Sequence, residues 1–522
     1  MDVVAKRRSV FALVVLMIGM LCATFVLNSQ SNVDQQKIVS GIDIDNGDTK
    51  INWTKYQTFD VELKDSFEIN QSGIYHLSGK IQDGMITVDV GDENGVVKLL
   101  FDDADIYNGR GPAVYVKSAD DVVFETVEGT QNTLECGSEF QTFSEDEDVD
   151  GAIYSKGDLS FYGSGKLSVV SNYQDGIVGK DDVAIRSGLV EVQAADDGIR
   201  GKDSVYISGG TVKIQAKQDG IKATNQDEKT KGFVYIQDGE IEISVDDDGI
   251  HATSSLFIDG GKIKILKSYE GLEGAKVTIN DGDIQIKSTD DGINVAGGKD
   301  ESAFTRPGAQ SFANGIETIL TVNGGKIYVD ASGDGLDSNG MIYVNGGEII
   351  VDGPTNSGNG ALDSENGIFF NGGNVIAVGA SGMAESFDEK SLGYGASIFL
   401  ESTQSKNTKI VIKDSEGNEI VSHVSKKTFN HIAVGSEKFE SGEAYIIYIN
   451  DKKYDEFTVS EQIVVVGKNP WGEINGQPGG MMPNKDFDGQ QPPDGKQELM
   501  ERPDGEEPPE PRQLKTEQNQ KR

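Results

Sequence analysis

Between Asp175 and Gly373 the apolar and polar positions recur in two short phrases that alternate along the chain. In the first, an acid precedes glycine and an aliphatic residue: Gln-Asp-Gly-Ile at Asp175, Asp-Asp-Gly-Ile at Asp197, Gln-Asp-Gly-Ile at Asp219, Asp-Asp-Gly-Ile at Asp248 and Asp291, Tyr-Glu-Gly-Leu at Glu270 and Gly-Asp-Gly-Leu at Asp334. In the second, about 11 residues later, two alternating apolar runs flank a glycine hinge, as in Val205-Tyr206-Ile207, Ser208-Gly209-Gly210, Val212-Lys213-Ile214. Period-two alternation in β-branched residues bounded by glycines predicts strands. A repeat of about 22 residues buries its apolar face only against its neighbours, and strand, tight turn, strand on a fixed repeat predicts an all-β, right-handed parallel β-helix.

The periodic part is flanked by less regular sequence. Alternating runs at Phe67–Gly79, Ile86–Val90, Val96–Phe101, Val114–Val116 and Val122–Phe124 predict irregular first coils that cap the stack, so the β-helix domain is expected over 67–390. From about Ser391 the period is lost. Strands predicted at Ser397–Leu400, Lys409–Lys413, Glu419–His423, Ile432–Val434, Ala444–Asn450 and Phe457–Val466 suggest a small C-terminal all-β cap or sandwich over 391–467. Residues 468–522 are rich in Pro, Gly, Gln and charge, with almost nothing apolar to bury, and predict a disordered tail. Residues 31–66 read as a linker.

Composition narrows the partners. The chain has 522 residues, 65 of them glycine, and its 86 Asp and Glu against 47 Lys and Arg give a formal charge of -39. That balance disfavours nucleic acid or an anionic membrane surface and suits cations. Lys6-Arg7-Arg8 precedes an apolar run from Val10 to Leu27, which is either a signal-peptide core or a single anchor within segment 1–30. No Ala-x-Ala site follows, and Leu21 before Cys22 fits a lipoprotein cleavage box poorly, so a retained anchor is the favoured reading. The remainder is expected outside the cell as a monomer, secreted or anchored at its surface, with membrane contact only through this segment. Cys22 and Cys136 leave no intramolecular disulfide for the exported part.

In a stack of coils, equivalent positions lie about 4.8 Å apart. Asp175, Asp197, Asp219, Asp248, Glu270, Asp291 and Asp334 would form a ladder, thickened by Asp196, Asp246, Asp247 and Asp290. Neighbouring carboxylates at that spacing repel by roughly 1 kcal/mol in water and several times more at an effective dielectric near 20. Either the acids splay into solvent or a hard cation bridges them, and oxygen ligands without His or Cys point to Ca2+. Asp337 and Asp363, in Gly-Leu-Asp-Ser and Ala-Leu-Asp-Ser, add acids beside the corner. The plainer alternative is corner chemistry, with aspartate bonding its own backbone and glycine taking positive φ. At the hinge, Asn280, Asn323, Asn345 and Asn371 predict an amide ladder before a functional polar row.

The middle residue of each hinge's first strand should point outward, giving Ala184, Tyr206, Tyr235, Phe257, Thr278, Thr321, Tyr343 and Phe369. This partly aromatic stripe suits either sugar stacking or ring-on-ring stabilisation of the sheet. The equivalent row of the second strand, Glu191, Lys213, Glu242, Lys264, Gln285 and Tyr328, reads as a solvated face. Insertions after Asp219 and Asp291 fall in one sector, and Gly297–Asn314, with Phe304, Arg306 and Phe312, is the candidate ligand-facing loop.

The residues from Phe67 to Val466 resemble a family of extracellular bacterial carbohydrate-binding β-helix proteins, similar in fold to pectate lyases. The resemblance rests on Gly73-Ile74-Tyr75-His76-Leu77-Ser78-Gly79, Ala119-Asp120-Asp121-Val122, Glu128-Gly129-Thr130-Gln131-Asn132-Thr133-Leu134, Asp150-Gly151-Ala152-Ile153, the Asp-Gly-Ile series and Gly333-Asp334-Gly335-Leu336-Asp337-Ser338-Asn339-Gly340. It implies a right-handed parallel β-helix, calcium among the stacked acids, and adhesion to cellulose or polygalacturonate without established catalysis. The chain departs from many members in lacking a convincing lipobox. Two alternatives stay open. One is a calcium-dependent pectate lyase using a base at Arg200, Lys222 or His251, three places after a corner acid. The other is a structural adhesin or spacer.

Overall fold

The structure, a computed structural model, describes residue 42 and residues 44–91, 94–143, 148–296 and 318–469. The apolar run Val10–Leu27, the loop residues Phe304, Arg306 and Phe312, and the tail beyond Asn469 lie outside the described residues. Among the described residues no helix is long and apolar enough to cross a membrane.

The chain is nearly all β. Among the described residues, 36 strands join one large sheet and four form a second. Within the large sheet three parallel ladders run side by side, because each strand pairs with the strand one repeat further along. The corner ladder contains Asp175–Gly179, Ile199–Gly201, Ile221–Ala223, the start of Ile250–Ile258, the start of Leu272–Ile279, Ile293–Val295, Leu336–Ser338 and Leu362–Ser364. An entry ladder carries the first strand of each hinge, such as Asp182–Ile185 on Ser204–Ile207. An exit ladder carries the second, such as Leu189–Gln193 on Thr211–Gln215.

Alternation supplies the core. Ile177, Ile199, Ile221, Ile250, Leu272, Ile293, Leu336 and Leu362 stack in register along the corner ladder and are all buried, as are Val183, Val205 and Val234 on the entry ladder and Val190, Val212 and Ile241 on the exit ladder. Each such side chain contributes about 1.5–3 kcal/mol on burial.

Glycine has two distinct jobs. At the hinges Gly188, Gly210, Gly261, Gly325, Gly347 and Gly373 adopt φ between 82° and 94°, the left-handed region that side chains disfavour. The corner glycines have no such φ, which corrects the expectation that they supply it. They permit close approach instead: a Cβ on Gly198 would sit 2.6 Å from the carbonyl oxygen of Gly220, itself a corner glycine.

The parallel run ends at Asn374–Gly379, which pairs antiparallel with Phe429–Ser436. Gly395–Gln404 and Ile463–Val466 extend that edge. Glu419–Val424, Lys409–Asp414, Ala444–Ile449 and Lys452–Thr458 form the separate antiparallel sheet. The single strand expected at Phe457–Val466 is therefore two, in different sheets.

Residues 42 and 44–50 cross the outer face of the entry ladder as a strap, part-way along the stack. Ile42 and Ile44 pack on Ala184, Tyr206, Phe233 and Tyr235, and Arg186 grips Asp48 through Nε at 3.1 Å and a terminal nitrogen at 2.8 Å.

Candidate functional site

The corner ladder brings the acids of successive repeats into one row, and each aspartate caps the corner that follows it. Oδ1 of Asp175 accepts the backbone N–H of Asp197 at 3.1 Å; Asp197 serves Asp219 at 3.0 Å, Asp219 serves Asp248 at 2.9 Å, and Asp248 serves Glu270 at 3.2 Å. Further up, Asp291 serves Asp334 at 2.6 Å and Asp334 serves Gly360 at 2.5 Å. One oxygen of each of these aspartates is thus structural. The other is left for whatever lies beside the row.

A second row, three residues on, faces it. Register places Val178, Arg200, Lys222, His251, Glu273, Asn294, Asp337 and Asp363 one above another. Its charge reverses along the stack. Arg200 donates to Asp175 Oδ2 at 2.6 Å and reaches Asp150 at 2.5 Å. Lys222 lies 2.6 Å from Asp219 Oδ2. His251 sits between Asp248 and Glu273, 3.5 Å from the first and in closer contact with the second. Burial pulls the His251 pKa down, but the two carboxylates outweigh it and hold it well above the ordinary value. Arg200, Lys222 and His251, the candidate bases of a lyase, are partly or wholly buried counter-ions. As bases for a lyase they are already committed to carboxylates.

Beyond Glu273 the counter-ions stop. Asp291, Asp334, Asp337, Asp363 and Glu385 are half-buried rather than sealed, and among the described residues no Lys, Arg or His pairs with them. Burial, reinforced by Asp334 and Asp290, pushes Asp291 up to about 8. Burial, with Asp363 and Asp290, pushes Asp334 up to about 7. Asp337 is held well above the carboxylate range by burial and by Asp291, Asp334 and Asp363. Burial and Asp363 raise Glu385 to about 8. Next to this group the Asn294 amide nitrogen donates to Glu270 at 2.7 Å, while its buried Oδ1 has no partner among the described residues. Carboxylates and an orphaned amide oxygen are donors of the kind a hard divalent cation takes, whereas the row acids whose ligand atoms already converge within 4.8 Å, among the described residues, are Asp219, Asp247 and Asp248, and Asp248 and Glu273 with His251.

The remaining candidate residues separate into groups. Asp247 lies with Asp219 and Asp248, their oxygens within 4.8 Å of one another, whereas Asp246 is an exposed partner of Lys267. Asp196 and Asp290 are half-buried beside the row. The expected external aromatic stripe is corrected in part. Tyr206 and Tyr235 stack at 5.2 Å but are only 8% and 4% exposed, because the strap covers them. Phe257 meets Tyr235 edge-on, and Tyr343 and Phe369 stack at 5.1 Å with their rings half-exposed. The hinge amides do form a ladder: Asn323 donates to Asn280 at 2.7 Å, Asn345 to Asn323 at 2.9 Å and Asn371 to Asn345 at 2.8 Å. On the exit ladder a groove of about 430 Å³ is lined by Ser168, Glu191, Gln193, Lys213, Gln215 and Glu242, so the face read as merely solvated is concave.

Reading by repeat did not find Glu385, which lies outside the repeat, or the bond from Asn294 to Glu270. The change of sign along the second row was visible in the sequence as Arg, Lys, His, Glu, Asn, Asp, Asp.

Residues 64–305 match a family described as "Carbohydrate-binding domain-containing protein". A protein of that description from Acetivibrio thermocellus is 36% identical over 129 residues, which cover 24% of this chain and 44% of the relative. The chain thus matches less than half the length of that relative. A solved structure, that of a polysaccharide lyase-like protein from C. thermocellum determined as a gadolinium derivative, is 30% identical over 44% of this chain and 94% of the other, with a TM-score of 0.38. The cation-paired part of the two rows falls inside the family match, and Asp334, Asp337, Asp363 and Glu385 fall beyond it.

Proposed function

We propose that the chain is a non-catalytic, extracellular polysaccharide-binding protein whose grip on glycan depends on calcium held by Asp291, Asp334, Asp337, Asp363 and Glu385. The observation that carries this reading is the reversal of charge along the second row: the same fold position that supplies Arg200 and Lys222 as counter-ions supplies Asp337 and Asp363 where the corner acids most need one. A divalent ion there would replace the missing cation and keep coordination positions open toward solvent, where a uronate carboxylate or sugar hydroxyls could complete its shell. Three parallel ladders joined in a fixed order support a parallel β-helix, read here as right-handed in keeping with the usual hand of parallel crossovers. The family description of residues 64–305 supports carbohydrate as the partner, of cellulose or polygalacturonate type. The half-exposed pair Tyr343–Phe369 and Phe257 are the stacking surfaces for it.

Pull-down of the full chain on insoluble cellulose and on pectate gel, with calcium or with chelator, tests the reading. Retention on pectate that is lost with chelator, without release of unsaturated products, is expected. Retention on both glycans after exhaustive chelation would remove calcium from the account, and ultraviolet-absorbing products would replace binding by lyase chemistry.

A further inference from the structure

The outer face of the exit ladder is concave where the groove of about 430 Å³ crosses Lys166–Ser171, Leu189–Gln193, Thr211–Gln215 and Glu240–Ser244 and reaches Lys262–Ser268. Its floor is two rows of outward side chains in register. Ser168, Glu191, Lys213 and Glu242 form one row, and Val170, Gln193, Gln215 and Ser244 the other. Four strand spacings of about 4.8 Å make the floor about 19 Å long, enough for a run of several sugar rings. One end is marked by a defect in the pairing. The register shifts after Ile243, so that Ser244 pairs with Lys267 and Leu266 is squeezed outward, 49% exposed. Such a bulge re-aims a side chain, and here it turns an apolar one beside the groove.

The chemistry of the floor is open and locally neutral. At the hinge, Asn280, Asn323, Asn345 and Asn371 close on one another, as stacked amides do. Gln193 and Gln215 are stacked too, yet both are exposed and neither side chain hydrogen-bonds to another among the described residues. Charge in the other row is met within the face. Lys166 lies 2.6 Å and Lys213 3.8 Å from Glu191, and Glu242 stands in register between Lys213 and Lys264. The lining holds no arginine fork and no surplus of positive charge to retain a polyanion, whereas an uncharged polyol meets free amides and hydroxyls. The residues of the groove all fall within 64–305, the stretch matched to the family, while Tyr343, Phe369 and Asp334 fall beyond it.

We propose that this groove binds an extended, β-linked chain of uncharged hexoses lying along the stack, without calcium. The site rests on the carbohydrate reading above and adds to it: acidic glycan meets the corner rows through the ion, and neutral glycan meets the exit face directly. Gln193 and Gln215, one strand spacing apart, each offer a carbonyl oxygen and two N–H donors to ring hydroxyls. Glu191 and Glu242 accept from hydroxyls and Lys213 donates to them. Leu266 and Val170 supply apolar contact for the C–H faces of the rings. A hexose in an extended β-linked chain advances by little more than one strand spacing, so successive rungs meet successive sugars. An α-linked chain curls and leaves the straight floor.

Calorimetric titration of the full chain with cellohexaose tests this, with maltohexaose as the α-linked control and pull-down on pectate as a separate readout of the corner rows. The native chain should bind cellohexaose equally in calcium and in chelator, and maltohexaose far more weakly. Gln193→Ala/Gln215→Ala removes both amides and should weaken cellohexaose binding by about tenfold, as the loss of two neutral hydrogen bonds requires. Leu266→Asp should weaken it as well. The altered side chains are exposed, so both variants should keep the native melting temperature and the calcium-dependent retention on pectate. Native affinity in Gln193→Ala/Gln215→Ala would overturn the groove, as would cellohexaose binding that disappears with chelator or equal binding of maltohexaose. Failure to bind cellohexaose alongside calcium-dependent retention on pectate would overturn the groove and leave the calcium reading standing; failure on both would remove the carbohydrate reading itself.

Discussion

The backbone N–H of Asp334 donates to Oδ1 of Asp291 at 2.6 Å across 43 positions of sequence. The insertion between them therefore leaves the register of the corner ladder intact, and the cap that joins Asp175 to Asp197 is repeated where the charge on the facing row has reversed. One oxygen of each acid holds backbone and the other bears charge that must be met by something else.

Substitution at Asp334 separates those two duties. Asp334→Asn keeps an Oδ1 acceptor for Gly360 and removes the charge, so in chelator it should be at least as stable as the native chain. Saturating calcium, which should stabilise the native chain by about 2.7 kcal/mol at a hundred times Kd, should stabilise the variant far less. Asp334→Ala loses the cap as well and should cost about 1–3 kcal/mol even without metal. Thermal melts of the three chains in chelator and in calcium check this; an equal calcium-induced rise in all of them would place the ion elsewhere.

At the other end the counter-ion is built in. Arg200→Met strands Asp175 and Asp150 without their shared partner, and removal of one member of such a buried pair costs about 3–5 kcal/mol. Adding Asp175→Asn should recover part of the loss, since the remaining group is then neutral and can still cap Asp197. Denaturant unfolding of the single and double variants gives the coupling directly. Additive losses would mean that the pair acts as two independent surface charges.

The parallel ladders and the in-register acids followed from period alone, because a repeat of about 22 residues fixes which side chains become neighbours. Burial did not follow from it. Tyr206 and Tyr235 point out of the core as alternation requires, yet Ile42 and Ile44 cover them from a segment that the pattern of the repeats does not describe. The row that holds Arg200, Lys222 and His251 varies from repeat to repeat; read in order, it balances the corner acids at Asp175, Asp219 and Asp248 and adds to their charge at Asp334. Glu385 reaches Asp363 from outside the repeat, and no periodicity could have placed it.

Asp352 ties the exit ladder to the separate antiparallel sheet. It is fully buried, and its carboxylate accepts from Tyr328 Oη at 2.8 Å, His423 Nε2 at 2.9 Å, Ser425 Oγ at 3.0 Å and the Lys426 N–H at 3.2 Å. Burial alone would raise its pKa, but His423 and the hydroxyls outweigh burial and hold it below the usual range. Asp352→Ala should cost about 3–5 kcal/mol and free the small sheet first. Amide exchange should then quicken across Lys409–Asp414 and Ala444–Ile449 before it does in the corner ladder; uniform acceleration would show that the two sheets unfold together.

His431 gives a pH dependence of known sign. It is buried, with Nε2 2.9 Å from Ser397 Oγ and its ring 4.7 Å from that of Phe399, and burial pushes its pKa down to about 3. In the unfolded chain the same imidazole titrates near 6.5. Between those values the unfolded state holds a proton that the folded state refuses, so stability falls with decreasing pH by about 1.4 kcal/mol per unit from this residue alone. His76 and His251, whose pKa values are raised, contribute with the opposite sign, and the stacked acids titrate as well, so the difference between native and His431→Gln is the quantity to follow. Chemical denaturation of both chains in saturating calcium between about pH 5 and 6.5 should show the native chain losing stability relative to the variant as pH falls. Parallel curves would mean that His431 takes up its proton in place, with Ser397 Oγ accepting the Nε2–H.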